Sequence, residues 1–227
     1  MSKILFVVTG ATYWTLNDGT RHPTGYWAEE LLTPYKAFTE AGHEVVFATP
    51  GGAVPVADAG SLAPEANGGR DVTAELAEIA GLASPLKLAE VDLADYRAVF
   101  YPGGHGPMED LAVDTTSGRL LVEALDSGKP LGVVCHGPAA LLAADRADGT
   151  SAFAGRKITA FSNEEERQGG LAGKAIWLLE DRLRAVGADV RVADAWTPHV
   201  VIDGDLLTGQ NPMSSGPLAA ELLKRLG

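Results

Sequence analysis

Leu131-Gly132-Val133-Val134-Cys135-His136-Gly137-Pro138-Ala139-Ala140-Leu141-Leu142 is the stretch around which the rest of the chain is organised. Residues 131–134 form a short apolar, β-preferring run and residues 139–144 an Ala/Leu run with helical preference. The chain should therefore pass from strand to helix through a sharp turn at Cys135-His136-Gly137. In a parallel α/β sheet such a turn lies at the carboxyl end of a strand, where the next helix offers unpaired N–H groups that attract negative charge. The only cysteine of the sequence sits at this bend. A free thiol ionises near ~8.5, and helix-terminal donors with an adjacent imidazole lower that value and make a nucleophile. The alternative is a buried structural cysteine, because free cysteine is among the most buried residue types. Cys-His-Gly-Pro interrupts an otherwise apolar passage, which favours the chemical role.

On either side, the phrase helix, glycine, polar residue, strand occurs three times, at Gly42, Gly128 and Gly187. Glycine after a helix supplies the left-handed cap that turns the chain back into a strand, so the repeats count out a doubly wound, mostly parallel α/β sheet. Residues 3–10 read as its opening strand, residues 97–101 as another, residues 156–161 as a third, and residues 199–207 as a hairpin turning at Asp203-Gly204. Residues 51–57 look like a short edge hairpin, since proline limits them to an edge. Residues 12–23 read as a loop over the carboxyl end of the first strand, residues 60–95 as a helical surface insertion, residues 171–186 as an amphipathic helix, and residues 217–226 as a closing helix. A single domain spanning residues 1–227 is expected.

A helix over residues 25–41 gathers Trp27, Leu31, Pro34, Tyr35, Phe38 and Ala41 in one sector at ~100° per residue. Glu29 falls on the polar side with Lys36 and Glu40, whereas Glu30 falls among Tyr26, Ala37 and Ala41. A carboxyl group on a buried face must be protonated or hydrogen-bonded, unless it snorkels to water from the helix edge. Tyr101-Pro102-Gly103-Gly104-His105-Gly106 follows a strand, and its glycines would let backbone N–H groups approach a ligand as an oxyanion site requires, or would form an ordinary Pro-Gly turn.

Composition narrows the partners. Eighteen basic against thirty acidic residues give a formal charge of −12, and no Lys/Arg cluster tracks a phosphate backbone, so nucleic acid and anionic membranes are not expected. One cysteine cannot form an internal disulfide, the five apolar residues after Met1-Ser2-Lys3 are too few for a signal peptide, and no apolar run reaches the ~18 residues of a membrane helix. A cytoplasmic protein is expected. Thr9-Gly10-Ala11-Thr12-Tyr13 lacks the dinucleotide signature, and the five histidines show no H-x-x-x-H spacing, so neither a cofactor nor a metal is expected.

Val-Cys-His-Gly-Pro, with Thr24-Gly25-Tyr26-Trp27-Ala28-Glu29-Glu30, the Pro-Gly-Gly-His-Gly loop and Leu207-Thr208-Gly209-Gln210-Asn211-Pro212, resembles the ThiJ/PfpI superfamily, relatives of the class I glutamine amidotransferases. The Gly-His-Gly, the acidic stretch Phe161-Ser162-Asn163-Glu164-Glu165-Glu166 and the long middle segment are most similar to its glutathione-independent glyoxalase III and heat-shock chaperone branch. The resemblance implies a flavodoxin-like fold with Cys135 as nucleophile on an elbow, His136 beside it, and Glu30 hydrogen-bonded to the sulfur. It makes Gly104 the preferred oxyanion donor, with Gly103, His105 and Gly137 completing the binding set. Laying Ile158-Thr159-Ala160-Phe161 on the branch's pattern places the acid that orients His136 at Glu166, with Glu165 as fallback, and leaves the other glutamates of the run as a solvated helix start. The amidotransferase pattern of a late histidine followed by an acid is not met by Pro198-His199-Val200-Val201.

The expected activity is cofactor-independent conversion of a 2-oxoaldehyde such as methylglyoxal to a 2-hydroxy acid through a Cys135 hemithioacetal. The alternative is a stress-responsive holding chaperone or redox sensor in which Cys135 is oxidised. A cysteine peptidase or amidase, which needs an open cleft, is less favoured because residues 12–23 and 60–95 are expected to cover the site, and a protein deglycase is also less favoured. The resemblance also allows a homodimer.

Overall fold

The computed structural model describes residues 2–227. In chain order the strands are β1 (Lys3–Val7), β2 (Tyr13–Thr15), β3 (Arg21–Pro23), β4 (Glu44–Thr49), β5 (Leu86–Lys87), β6 (Ala98–Tyr101), β7 (Leu131–Val134), β8 (Lys157–Ile158), β9 (Asp189–Val190), β10 (Val200–Asp203) and β11 (Leu206–Gly209). The helices are α1 (Ala28–Glu40), α2 (Thr73–Ala77), α3 (Ala80–Ala83), α4 (Gly106–Glu109), α5 (Thr115–Asp126), α6 (Asn163–Gln168), α7 (Leu179–Ala185) and α8 (Ser215–Leu226). Seven strands form one sheet in the order β10-β11-β7-β6-β1-β4-β5, parallel throughout except for β10.

The sheet is covered on both faces, as its apolar strands require. Every residue of β6, β7 and β11 is buried, which a strand with one solvated face does not show. Neighbouring residues of a strand point to opposite faces. Phe100 packs with Phe6 and with Phe38 of α1 on one face, while the Tyr101 hydroxyl meets Ser117 Oγ of α5 at 3.1 Å on the other. The three helix-to-strand turns carry left-handed glycines, with φ of 86° at Gly42, 64° at Gly128 and 90° at Gly187. The first two feed β4 and β7 of the main sheet; the third feeds β9, which pairs with β8 in a separate ribbon. Residues 156–161 thus yield a two-residue strand outside the main sheet.

Several local expectations are corrected. Residues 51–57 form no hairpin: left-handed Gly51 and Gly52 make a 3-10 turn, and the following chain is captured by Tyr26, whose N–H donates to Val56 O and whose carbonyl accepts from Asp58 N–H. Residues 12–23 hold the β2–β3 hairpin. The segment 60–95 contains short helical pieces but also supplies β5, the edge strand beside β4. The helix expected over residues 171–186 occupies only Leu179–Ala185, because Leu171 N–H and Ala172 N–H both turn back to the Glu166 carbonyl. After the elbow the chain forms a 3-10 segment, Gly137–Ala143, entered through Pro138 and closed by Ala139 N–H on His136 O.

Candidate active site

Cys135 follows the last residue of β7 with φ of +60°, in the left-handed region where an L side chain is strained. Two backbone hydrogen bonds hold the strain: Cys135 N–H donates to Gly209 O at the end of β11, and Cys135 O accepts from Phe161 N–H beyond β8, each at 2.9 Å. The strand therefore ends in a rigid bend that aims the sulfur out of the sheet. Sγ lies 3.3 Å from His136 Nδ1, so adjacent residues meet here as they could not in a regular helix.

Glu30 approaches from α1. It is fully buried while Glu29 is not, as the helical sector implied. Its Oε2 accepts the Gly103 N–H at 2.7 Å, and its Oε1 has no hydrogen-bond partner of ordinary geometry. Burial pushes the Glu30 carboxyl up to about 8, against the opposing pull of Cys135 and the Gly103 N–H. The Cys135 thiol is also pushed up, first by burial and then by the Glu30 carboxylate, while the Gly104 N–H pulls it down. Burial beside a carboxyl group thus opposes the thiolate expected at a helix N-terminus, and the Gly104 amide is the donor that faces the sulfur.

This arrangement depends on a bare backbone at the Gly103-Gly104 turn. Gly104 has φ of +87°, and a Cβ there would stand 2.4 Å from Gly25 O and 2.6 Å from Trp27 N. Gly104→Ala is expected to destabilise the fold by about 2–4 kcal/mol, through backbone strain plus overpacking, as read from urea unfolding. An unchanged midpoint would show that the turn tolerates a side chain.

His136 is buried, and its Nε2 lies 2.7 Å from Glu166 Oε2; the second carboxylate oxygen, Oε1, lies 3.0 Å from His105 Nε2. Burial works against charge on Glu166, but the His136 imidazole and the hydrogen bonds from His105 and His136 outweigh it and hold the carboxyl well below its usual range. An ionised carboxylate only accepts, so both Nε2 atoms carry the proton and His136 Nδ1 is left with its lone pair toward the sulfur, an assignment made from the hydrogen-bond network. Burial and the neighbouring His105 push His136 down while Glu166 pulls it up. Of the three glutamates, only Glu164 is a solvated helix start; Glu165 is also buried and caps its own helix through Ser162. The fallback Glu165 is thus placed away from His136, bound instead to Ser162, Trp196, Gln210 and Asn211.

Gly104, His105, Cys135, His136 and Glu166 open on a pocket of about 220 Å³, with Trp27, Phe161, Leu171, Trp196 and Pro212 as its apolar wall. His22, from β3, and Asp58 also line it, and neither carried a signal in the sequence. Trp14 of β2 stacks on His105 at 4.8 Å and 13°. Residues 12–23 therefore bear on the site. Residues 60–95 contribute nothing to the lining; residues 161–196 take that place. Trp196 has a left-handed φ of +61°, held by Glu165 Oε1 on its N–H and Gln168 on its indole N–H. Two binding assignments are corrected. Gly103 spends its N–H on Glu30, and Gly137 packs under the Tyr101 carbonyl, outside the pocket wall. Residue spacing shows no metal motif, yet the fold brings one ligand atom each from His105, His136 and Glu166 within 4.8 Å of one another.

The raised Glu30 group has a consequence for stability. Its proton is bound more tightly in the folded chain than in the unfolded one, so its contribution is complete below about pH 4.5 and is lost as pH rises through about 8. Urea midpoints of the parent should fall relative to those of Glu30→Gln across that window; parallel profiles would place the Glu30 titration elsewhere.

A family model described as DJ-1/PfpI matches residues 24–225. The protein/nucleic acid deglycase HchA of Staphylococcus aureus is 31% identical over 227 residues, covering 95% of this chain and 77% of its own length. Among solved structures, the Rapid Encystment Protein 24 KDa of Francisella tularensis aligns with a TM-score of 0.89 at 27% identity over the whole of both chains. Glyoxalase III from Candida albicans shares the fold, with a TM-score of 0.85 at 24% identity over 99% of this chain and 97% of that one. The family match takes in Glu30, His105, Cys135, His136 and Glu166 together with every strand of the main sheet except β1, and the chain belongs to the DJ-1/PfpI family.

Proposed function

We propose that the protein is a cofactor-independent enzyme that converts a small 2-oxoaldehyde, such as methylglyoxal, to the corresponding 2-hydroxy acid. The observation that carries this reading is the sulfur of Cys135 at 3.3 Å from His136 Nδ1, with the Glu30 carboxyl and the Gly104 N–H beside it. His136 takes the thiol proton as sulfur bonds to the aldehyde carbon, and the resulting hemithioacetal oxygen faces the Gly104 amide. The carbon-bound hydrogen leaves C1 as a proton and returns on C2 through an enediol, so C1 is oxidised to a thioester as C2 is reduced to an alcohol. No external electron acceptor is needed. A carboxyl group with a value of about 8 is available in both forms near neutral pH, which suits Glu30 to carry that proton. Water then hydrolyses the thioester and restores the thiol.

Support comes also from the pocket, whose apolar wall and modest volume suit a small aldehyde. The test is lactate formation from methylglyoxal by metal-free protein without added thiol, with Cys135→Ala as background; equal rates in the two would end this reading. The name of the Staphylococcus aureus relative favours a second one, in which the same sulfur receives the aldehyde from an adduct on a protein or nucleic acid. Faster release from a preformed amine adduct than consumption of free methylglyoxal would select it.

A further inference from the structure

We propose that His105 Nε2, His136 Nε2 and a Glu166 carboxylate oxygen form a three-ligand site for a divalent first-row transition ion of the zinc class, and that its occupation switches catalysis off. The donor set is two imidazoles and one carboxylate, the combination that zinc-class ions take, whereas magnesium and calcium ask for oxygen. The three ligand atoms lie within 4.8 Å of one another; His136 Nε2 stands 2.7 Å from Glu166 Oε2, and His105 Nε2 stands 3.0 Å from the other oxygen, Oε1. Ligands about 2.0–2.1 Å from a tetrahedral zinc stand roughly 3.3 Å apart, so ring shifts on the order of 1 Å would admit the ion.

The surroundings hold the rings in place. His105 stacks on Trp14 and lies 4.1 Å from His136, which rests on Phe161 at 4.4 Å. All three ligand residues line the pocket, which gives an entry path and a fourth coordination position for water. His105 comes from the loop after β6, His136 from the turn after β7 and Glu166 from α6, a convergence that sequence spacing does not reveal.

The off-switch follows from proton placement and rests on the proposed reaction; metal binding itself does not. Without metal, His136 carries its proton on Nε2, toward Glu166, and offers the Nδ1 lone pair to the Cys135 thiol. With metal, Nε2 gives its lone pair to the ion and the proton resides on Nδ1. The imidazole stays neutral and loses no proton, but nothing remains on the sulfur side to accept one.

Chelator-treated full-length protein titrated with cobalt chloride should show the visible d–d bands of a four-coordinate site, saturating at one equivalent and displaced by zinc chloride; magnesium chloride should displace nothing. Calorimetry with zinc should find affinity at least ~10-fold weaker in His105→Asn and in Glu166→Gln, each checked for native circular dichroism, and unchanged in Cys135→Ala. Having two ligand variants keeps the test sharp if one of them misfolds. Absence of d–d bands and of zinc heat would overturn the proposal, as would parent-like affinity in the folded ligand variants. Loss of binding in Cys135→Ala with a thiolate charge-transfer band would overturn it too, by placing the ion on sulfur. Zinc should also abolish methylglyoxal turnover, with recovery on chelation; binding with undiminished turnover would refute the switch. If metal-free protein turns over no aldehyde, the functional reading fails while the cobalt and zinc measurements still decide the site.

Discussion

Glu30→Gln is expected to lower methylglyoxal turnover about a thousandfold, within the ~10²–10⁴ range that a positioned proton carrier contributes. Glutamine keeps the shape of the side chain and can still accept the Gly103 N–H through its carbonyl oxygen, so the Gly103-Gly104 turn should stay in place. What it removes is the titrating proton of the carboxyl group. The same change takes away the negative charge that pushes the Cys135 thiol up, so alkylation of Cys135 by iodoacetamide should be as fast as in the parent or faster. This split between lost turnover and kept thiol reactivity separates a proton carrier from a residue that merely holds the pocket open. Turnover within about tenfold of the parent would remove Glu30 from the proton path. Equal damage from Glu29→Gln, a residue that is only partly buried, would move the chemistry to the other carboxylate.

Glu165→Ala is expected to be the most destabilising single change in the acidic run, by roughly 3–5 kcal/mol, because it strands buried donors rather than losing one contact. Its carboxylate accepts from Ser162 N–H and Oγ–H, from Trp196 N–H, and from the side-chain amides of Gln210 and Asn211. The amides have other acceptors, in Ala193 and Thr197, whereas the Ser162 and Trp196 N–H groups make no other hydrogen bond in the structure. Trp196 would also lose the tie that holds its left-handed backbone, so the pocket wall should loosen. Thermal and urea unfolding measure the loss, and Trp196 fluorescence reports the wall against the other three tryptophans. A cost below about 1 kcal/mol would mean that water replaces the carboxylate without penalty. Glu164→Ala, on the exposed side of the same helix, should stay within about 0.5 kcal/mol.

The contrast among these neighbouring glutamates shows where sequence reasoning reaches and where it stops. Period-two and period-3.6 apolar patterns reflect burial against a continuous surface, so residues 131–134, the sector holding Phe38 and the turns at Gly42, Gly128 and Gly187 were legible without coordinates. The burial of Glu30 but not Glu29 was legible for the same reason, since one helix turn sets which side chain faces the sheet. The strained bend at Cys135 was legible because a strand, a glycine and a helix-forming run leave the chain no other course. Tertiary structure alone decided the rest. Glu165 and Glu166 are both buried because separate segments, at residues 193–211 and at His105 and His136, fold over a helix whose own sequence reads as solvated. The pocket wall at Trp196, the His105-Glu166-His136 cluster and the raised proton affinity of the Cys135 thiol arise from groups 30 or more residues apart in sequence or from burial itself. Periodicity records what one segment presents to its surroundings; desolvation and the meeting of distant side chains belong to the whole fold.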